Sequence, residues 1–338
     1  MLYIVYLEEL ETRYTSQWRR WFYDVFPYSK KIEGTKSTEE LNGKNFLDPS
    51  QTNIWKSEQI IQLSNLFKEG KINDGDKFLF LDAWHYGIIA LRYMARLNQK
   101  KIKIYGIWHA GSYDVNDLLG DSFKYFRFFE EALLQNLDKS FVATVYHQKL
   151  ILRYFSSVVS KKVIVTGLPY YFKELDEFRY AKKTDTIVFP HRISKEKQPE
   201  ILEDLAKGLQ DVEVIFCQKS QLTKQGYHQI LARSKIVFSA SLQETWGIGI
   251  FEGLYLDAIP CVPNRLSYPE MYNEAFLYPS DWTISFNNYS RYKDQLIEYI
   301  LYRLNNYDMF IPQMNNNKIF LEEKYCRIDD IFKEVNNE

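Results

Sequence analysis

Two glutamates, Glu244 and Glu252, bracket seven residues in the stretch QETWGIGIFE, with Gly247, Ile248 and Gly249 between them. An ionised carboxylate accepts stronger hydrogen bonds than a neutral oxygen, so a pair placed around a tight turn suits a ligand rich in hydroxyls. A second set lies upstream in FPHRISKEK, where Arg192 and Lys197 stand with four residues between them. A planar guanidinium and a point-charge ammonium placed this close together suit an anion. A third candidate is His109 in YGIWHAGSYD, whose imidazole could donate to a hydroxyl or steady charge that develops in a reaction. Tyr113 and Asp114 follow it, and LDAWH adds Asp82 and His85. No Ser/His/Asp or Cys/His arrangement stands out. Cys217, Cys261 and Cys326 are far apart without metal-ligand spacing, and the first two sit in apolar runs, VIFCQ and IPCVP, that suit inert buried thiols.

These residues need elements to hold them. Short apolar runs alternate with longer amphipathic stretches along the chain: LYIVYL (2–7), FLFLD (78–82), IKIYGIWH (102–109), SFVATV (140–145) and KVIVTG (162–167), then TIVFPH (186–191), VEVIFC (212–217), KIVFSA (235–240) and AIPCVP (258–263). Unbroken apolar runs of this length predict strands buried on both faces of a parallel sheet. The stretches between them, such as 14–26, 54–69, 86–98, 123–136 and 146–155, predict helices. The expected fold class is therefore α/β, with two Rossmann-like domains. Gly167 and Pro169 stop a strand near the junction, which places an N-terminal domain at 1–169 and a C-terminal domain at 170–317. A helix over 318–338 is expected to cross back onto the first domain. Residues 29–53 lack a clear period and read as a surface excursion.

KIVFSA predicts a strand whose carboxyl end points at a ligand crevice. Glu244 then falls in the loop at that end, and Glu252 in the first turns of the helix that follows. The glycines let backbone approach a ligand, and the N–H groups of a helix start suit a phosphate. Arg192 and Lys197 are expected at an equivalent turn after TIVFPH, and His109 at a strand end in the first domain.

The bulk composition agrees with a globular protein. The 338 residues are 46% hydrophobic, 26% charged and 17% aromatic, with 26 Tyr and 23 Phe. Aromatic side chains pack cores first and also stack sugars and bases. A net charge of -1 supplies no global field toward nucleic acid or anionic lipid. No apolar run approaches the ~18 residues of a membrane span, so a soluble, cytoplasmic protein without a membrane partner is expected.

The order strand, acidic loop, glycine, helix with a second acid, strand resembles the donor site of retaining GT-B glycosyltransferases of the large family-four group. That resemblance implies two domains facing each other across a cleft and a nucleoside-diphosphate sugar as donor, with UDP the commonest choice. It implies no separate cofactor and no metal. Carried over, Glu244 contacts the donor sugar, Glu252 the ribose, Arg192 and Lys197 the diphosphate, and Gly247 and Ile248 present backbone to it. His109 matches a histidine that relatives present to the sugar or the reaction centre, so Glu244, His109, Arg192 and Lys197 form the implied catalytic set. One departure is clear. Relatives carry a glycine-rich loop after the first strand, whereas this chain has LEELETRYTSQW, leaving Glu11, Arg13 and Tyr14 as cleft candidates. Asn73-Asp-Gly-Asp76 looks like the acidic metal motif of the other glycosyltransferase fold, but it precedes a strand and reads as a turn.

The route that the resemblance implies is front-face displacement through an oxocarbenium-like transition state, in which the departing diphosphate takes the acceptor proton. Over LETRYTSQW, DAWHYG, GIWHAGSYD, TGLPY, FPHR and SLQETWGIGIFE, the chain is similar to bacteriophage glycosyltransferases, some of which modify hydroxymethylpyrimidines in DNA. A 5-hydroxymethylpyrimidine in DNA is accordingly the expected acceptor, in a host cytoplasm. Arg19, Arg20, Lys30, Lys31, Lys100, Lys101 and Lys103 are candidates for a positive rim. The alternatives are a glycan or lipid-linked acceptor, or a protein of the same fold that binds or epimerises a sugar nucleotide without transferring it.

Overall fold

In a computed structural model, which describes residues 1–10, 14–35, 48–220 and 222–336, the chain forms two compact units. One comprises Met1–Pro169 with Ile328–Glu338, the other Tyr170–Arg327.

The first unit is a six-stranded parallel sheet in the order β2-β1-β3-β4-β5-β6. Its strands are β1 (Leu2–Val5), β2 (Lys30–Ile32), β3 (Lys77–Phe80), β4 (Lys103–Ile107), β5 (Lys139–Val142) and β6 (Val163–Val165). Helices α1 (Thr15–Val25), α2 (Pro49–Lys68), α3 (Gly87–Leu97), α4 (Phe123–Asn136) and α5 (Val145–Val159) connect them. Phe78, Leu79 and Phe80 are all fully buried, as expected of a strand covered on both faces. The alternation fails to reveal β2. Its sequence KKI leaves both lysines exposed, because an edge strand needs only one neighbour and little apolar surface. It falls inside 29–53, so part of that stretch is a sheet edge and not a surface excursion.

The second unit is a five-stranded parallel sheet in the order β11-β10-β9-β7-β8: β7 (Thr184–Phe189), β8 (Glu213–Phe216), β9 (Ser234–Phe238), β10 (Ile259–Pro263) and β11 (Leu277–Tyr278). It carries α6 (Pro199–Leu205), α7 (Lys224–Arg233), α8 (Ile248–Tyr255), α9 (Tyr268–Met271), α10 (Phe286–Asn305) and α11 (Ile311–Lys324). The two-residue β11 is again a sheet edge that escapes pattern reading. The helix expected over 318–338 is two helices. After α11 the chain breaks, and α12 (Asp329–Asn336) packs in the first unit. There Lys77 donates to the Val335 carbonyl at 2.6 Å, Lys139 pairs with Glu334 at 2.8 Å, and Phe332 stacks on Phe26.

Because every strand pair is parallel, each sheet gathers its post-strand loops at one edge. In the first unit these loops hold Asp82 and His109. In the second they hold Arg192, Lys197 and Glu244. Asn73-Asp-Gly-Asp76 is a turn: Gly75 has φ +83°, and Asp76 accepts from the Asn73 N–H and the chain's amino terminus. Among the described residues, no helix is long and apolar enough to cross a membrane.

Candidate functional site

In the second unit β9 ends at Phe238 and the chain turns through 239–247 before α8 begins. Gly247 caps α8 in the left-handed region, φ +76°, a conformation a side chain resists. Glu244 folds back onto this turn. Its Oε1 accepts the N–H groups of Gly247 at 2.9 Å and Thr245 at 3.1 Å, while Oε2 meets Lys197 Nζ at 3.2 Å. Lys197 is only 6% exposed, and its ammonium also donates to the backbone carbonyl and side chain of Gln243. A buried ammonium is tolerable when several oxygens surround it. Burial pushes the Glu244 carboxyl upward, but Lys197 and then His191 overcome this and hold it below its ordinary value.

The turn that carries the cations follows the end of β7. The helix does not open at Arg192–Lys197: residues Lys195–Lys197 form one 3₁₀ turn, Gln198 is left-handed, and α6 begins at Pro199. Within this turn Arg192 pairs with Glu196 at 2.7 Å, so the two cations are handled differently. Lys197 is built into the Glu244 loop, whereas Arg192 is held by a neighbouring acid.

Glu252 sits on α8 and is 4% exposed. Its Oε1 accepts from Tyr170 at 2.5 Å and its Oε2 from Tyr227 at 2.8 Å, with His228 Nε2 3.8 Å away. Burial raises its carboxyl, yet the neighbouring His228 and Tyr170 hold it below its ordinary value. The Ile248 and Gly249 N–H groups have no acceptor among the described residues, as the first turn of a helix requires.

Several residues that hold this arrangement carry no sequence signal. Arg265 donates to the carbonyls of Ala240 and Ser241, both at 2.8 Å, and Gln198 donates to Ala240 at 2.6 Å. The Leu242 N–H bonds the Glu196 carbonyl at 2.7 Å, tying the two loops together. His191 is buried at the end of β7 with its Nε2 unpartnered among the described residues. Burial first, then Lys197, pushes its pKa down to about 3, so it is neutral at physiological pH. FPHR could have flagged it, since it precedes Arg192 directly.

His109 belongs to the first unit. Its Nε2 lies 2.8 Å from the Leu81 carbonyl, which can only accept, so that nitrogen carries the proton. Nδ1 lies 3.2 Å from the hydroxyl of Tyr14. Asp82 pairs with Lys56 at 2.9 Å. His85 is structural: its Nδ1 accepts the Gly87 N–H at 2.9 Å, its Nε2 donates to Gln59, and burial lowers its pKa to about 3. Tyr113 is buried with its hydroxyl 2.7 Å from His147 Nε2, and Asp114 accepts the Asn116 N–H at 3.1 Å. The loop is fastened to α4 by Glu130, which takes the Ser112 N–H at 2.6 Å and hydroxyl at 2.7 Å. Glu11 and Arg13 lie outside the described residues. Of the rim candidates, Arg19 is paired with Glu33 at 2.7 Å, and Lys30, Lys31 and Lys101 are exposed.

No family model matches the chain. A tRNA-queuosine alpha-mannosyltransferase from Drosophila melanogaster is 26% identical over 133 residues, covering 31% of this chain and 34% of that protein. The match thus spans about a third of that relative's length. Among solved structures, sucrose-phosphate synthase from Thermosynechococcus elongatus superposes with a TM-score of 0.71 at 9% identity, covering 99% of this chain and 97% of the other. An alpha,alpha-trehalose-phosphate synthase (UDP-forming) from Burkholderia xenovorans gives 0.57 at 10% identity, covering 99% and 100%. Likeness over nearly the whole of both chains, together with two parallel sheets in this chain, makes this the GT-B fold, two Rossmann-like domains of the kind glycosyltransferases use.

Proposed function

We propose that the chain is a glycosyltransferase that moves a sugar from a nucleoside diphosphate to a hydroxyl on nucleic acid. The observation that carries this reading is the buried Lys197–Glu244 pair at the start of α8, beside N–H groups that lack an acceptor among the described residues. An ammonium, a helix start and the neutral His191 together suit a diphosphate. Glu244 has lone pairs left for sugar hydroxyls. Glu252 would hold the ribose, with Tyr170 or Tyr227 releasing a carboxylate oxygen to it. Arg192 would leave Glu196 for the same phosphates, and Gly247 and Ile248 would lie along them.

In the reaction, a bond forms between the acceptor oxygen and the anomeric carbon on the face that the diphosphate leaves. The bond from that carbon to the phosphate oxygen breaks, and its electron pair departs with the diphosphate. The acceptor proton passes to the leaving oxygen, so configuration is retained and no side-chain nucleophile or metal is used. Lys197 stabilises the charge that grows on the leaving group. His109, its Nε2 proton committed to Leu81 and its Nδ1 beside the Tyr14 hydroxyl, would be the first unit's contribution to steadying charge at the sugar. UDP is the favoured nucleotide, in keeping with the UDP-forming synthase of the same fold.

A nucleic-acid acceptor is favoured by the mannosyltransferase relative, which acts on a tRNA nucleoside. A 5-hydroxymethylpyrimidine in DNA, as in bacteriophage DNA modification in a host cytoplasm, is the specific choice. Hydroxymethylated DNA, plain DNA, tRNA and simple glycans, each incubated with a panel of nucleotide sugars, would be analysed by mass spectrometry. One hexose added per hydroxymethylpyrimidine is the expected product. Glu244→Ala should abolish transfer, and Glu252→Ala should mainly weaken donor binding. Transfer to a glycan alone would displace the nucleic-acid reading, and unchanged activity in both variants would remove the site assignment.

A further inference from the structure

Helix α4 opens with FKYFRFF, and its two faces do different things. Phe126 and Phe129 turn inward onto Trp84, at ring distances of 5.6 and 4.9 Å, and Leu133 and Leu134 continue that face into the core. The core is thus served, yet the outward face carries two more rings: Tyr125 is 69% exposed and Phe128 66%. Each has a cation over it, Lys124 at 4.8 Å from the Tyr125 ring and Arg127 at 4.9 Å from the Phe128 ring. On α5, Arg153 lies 5.7 Å from the ring of the exposed Tyr154, which packs against Phe123 at 4.8 Å and so joins the two helices into one surface. Single exposed rings are ordinary, but several clustered on one face with cations beside them mark a partner surface.

The position of this surface follows from the chain. β4 ends at Ile107, the loop bearing His109 follows, Glu130 of α4 fastens that loop through Ser112, and the exposed rings lie in the first turns of the same helix. Rings that stack bases, with cations for the phosphates between them, are what an unpaired nucleotide strand needs. We infer that the outward face of α4, with Tyr154 and Arg153 of α5, binds a single-stranded or unpaired segment of nucleic acid by stacking on Tyr125 and Phe128. This rests on the nucleic-acid reading of the acceptor and assigns that acceptor a docking surface. Val115 and Leu118, exposed on the preceding loop, would instead serve a membrane, which makes vesicles the decisive control.

The test is fluorescence anisotropy of a labelled single-stranded oligonucleotide and its duplex against the whole chain across a salt series. Vesicles rich in phosphatidylglycerol would be co-sedimented in parallel. The expected result is preference for the single strand, a loss of about tenfold for each of Tyr125→Ala and Phe128→Ala, and a shallower salt slope in the double variant Lys124→Gln/Arg127→Gln. Donor hydrolysis should be unchanged in these variants, which also shows that they fold. Equal affinity in all variants, or capture by vesicles without oligonucleotide binding, overturns the assignment. Failure of the acceptor proposal looks different: the oligonucleotide still binds through these rings, but no nucleic acid receives sugar.

Discussion

Lys197 and Glu244 form the contact on which the proposed donor site depends. The ammonium lies among oxygens with little water to compete, so its charge acts at high strength on anything bound beside it. Lys197→Met should lower kcat/KM by about a hundredfold, the usual loss for a preorganised cation at a leaving group. A second readout separates this from a packing defect. With Lys197 present, the Glu244 carboxyl is held below its ordinary value of 4.5, so the acid limb of the pH–rate profile should lie below that pH. Losing the ammonium removes the main influence opposing burial, and the limb should move to higher pH. A profile with an unmoved acid limb would mean that Glu244 does not report on activity. His191 adds a neutral imidazole beside the same pair, because burial and Lys197 push its pKa down to about 3.

The start of α8 shows how an element aims these groups. An ideal Cβ on Gly249 would stand 2.7 Å from Pro190 Cβ and 3.2 Å from the Tyr227 hydroxyl, so only glycine lets the helix start approach the end of β7. At Gly247, by contrast, a Cβ would make only ordinary contacts, the nearest 3.4 Å from Glu244 Cγ, and glycine is needed for its φ of +76°. The two alanine variants should therefore differ. Gly247→Ala should cost about 1 kcal/mol of stability through backbone strain. Gly249→Ala should additionally weaken nucleotide binding, because it pushes α8 away from the loop that holds His191 and Arg192. Thermal melts with and without UDP would check this: UDP should raise the Tm of Gly247→Ala nearly as much as that of the unaltered chain, and that of Gly249→Ala much less.

Across the whole chain, buried histidines make stability depend on pH just below neutrality, before the carboxylates titrate. His85 and His147 in the first unit and His191 in the second have pKa values pushed from 6.5 down to about 3, chiefly by burial. Between those limits the unfolded chain binds protons that the folded chain does not, so the histidine contribution to stability is full above pH 6.5 and declines as pH falls toward 3. Each group contributes about 1.4 kcal/mol per pH unit over that range. Between pH 6.5 and about 5, above the range in which carboxylates titrate, the first unit, with two such groups, should lose stability more steeply than the second, as measured by urea titrations at several pH values with hydrogen exchange resolving the units. His147→Leu should flatten the first unit's slope by about half, although it leaves the Tyr113 hydroxyl without its partner and lowers stability at neutral pH. Equal slopes in the two units would contradict this assignment of buried neutral histidines.

The amino-acid sequence by itself determined the two α/β sheets and the strand-end placement of Glu244 and His109, because short unbroken apolar runs, repeated between longer amphipathic stretches, suit strands buried on both faces. It could not show β2 or β11, since edge strands require no apolar run. Nor could it show that Lys197 is bound to Glu244 while Arg192 is bound to Glu196, that two tyrosines already occupy Glu252, or that Arg265 and Gln198 pin the loop. Those partners lie from four to more than eighty positions apart and meet only when the parallel sheet brings its loop ends to one edge. The outward rings of α4 belong to the same class: in FKYFRFF every aromatic residue looks like core, and only the packed helix decides which of them are left facing water.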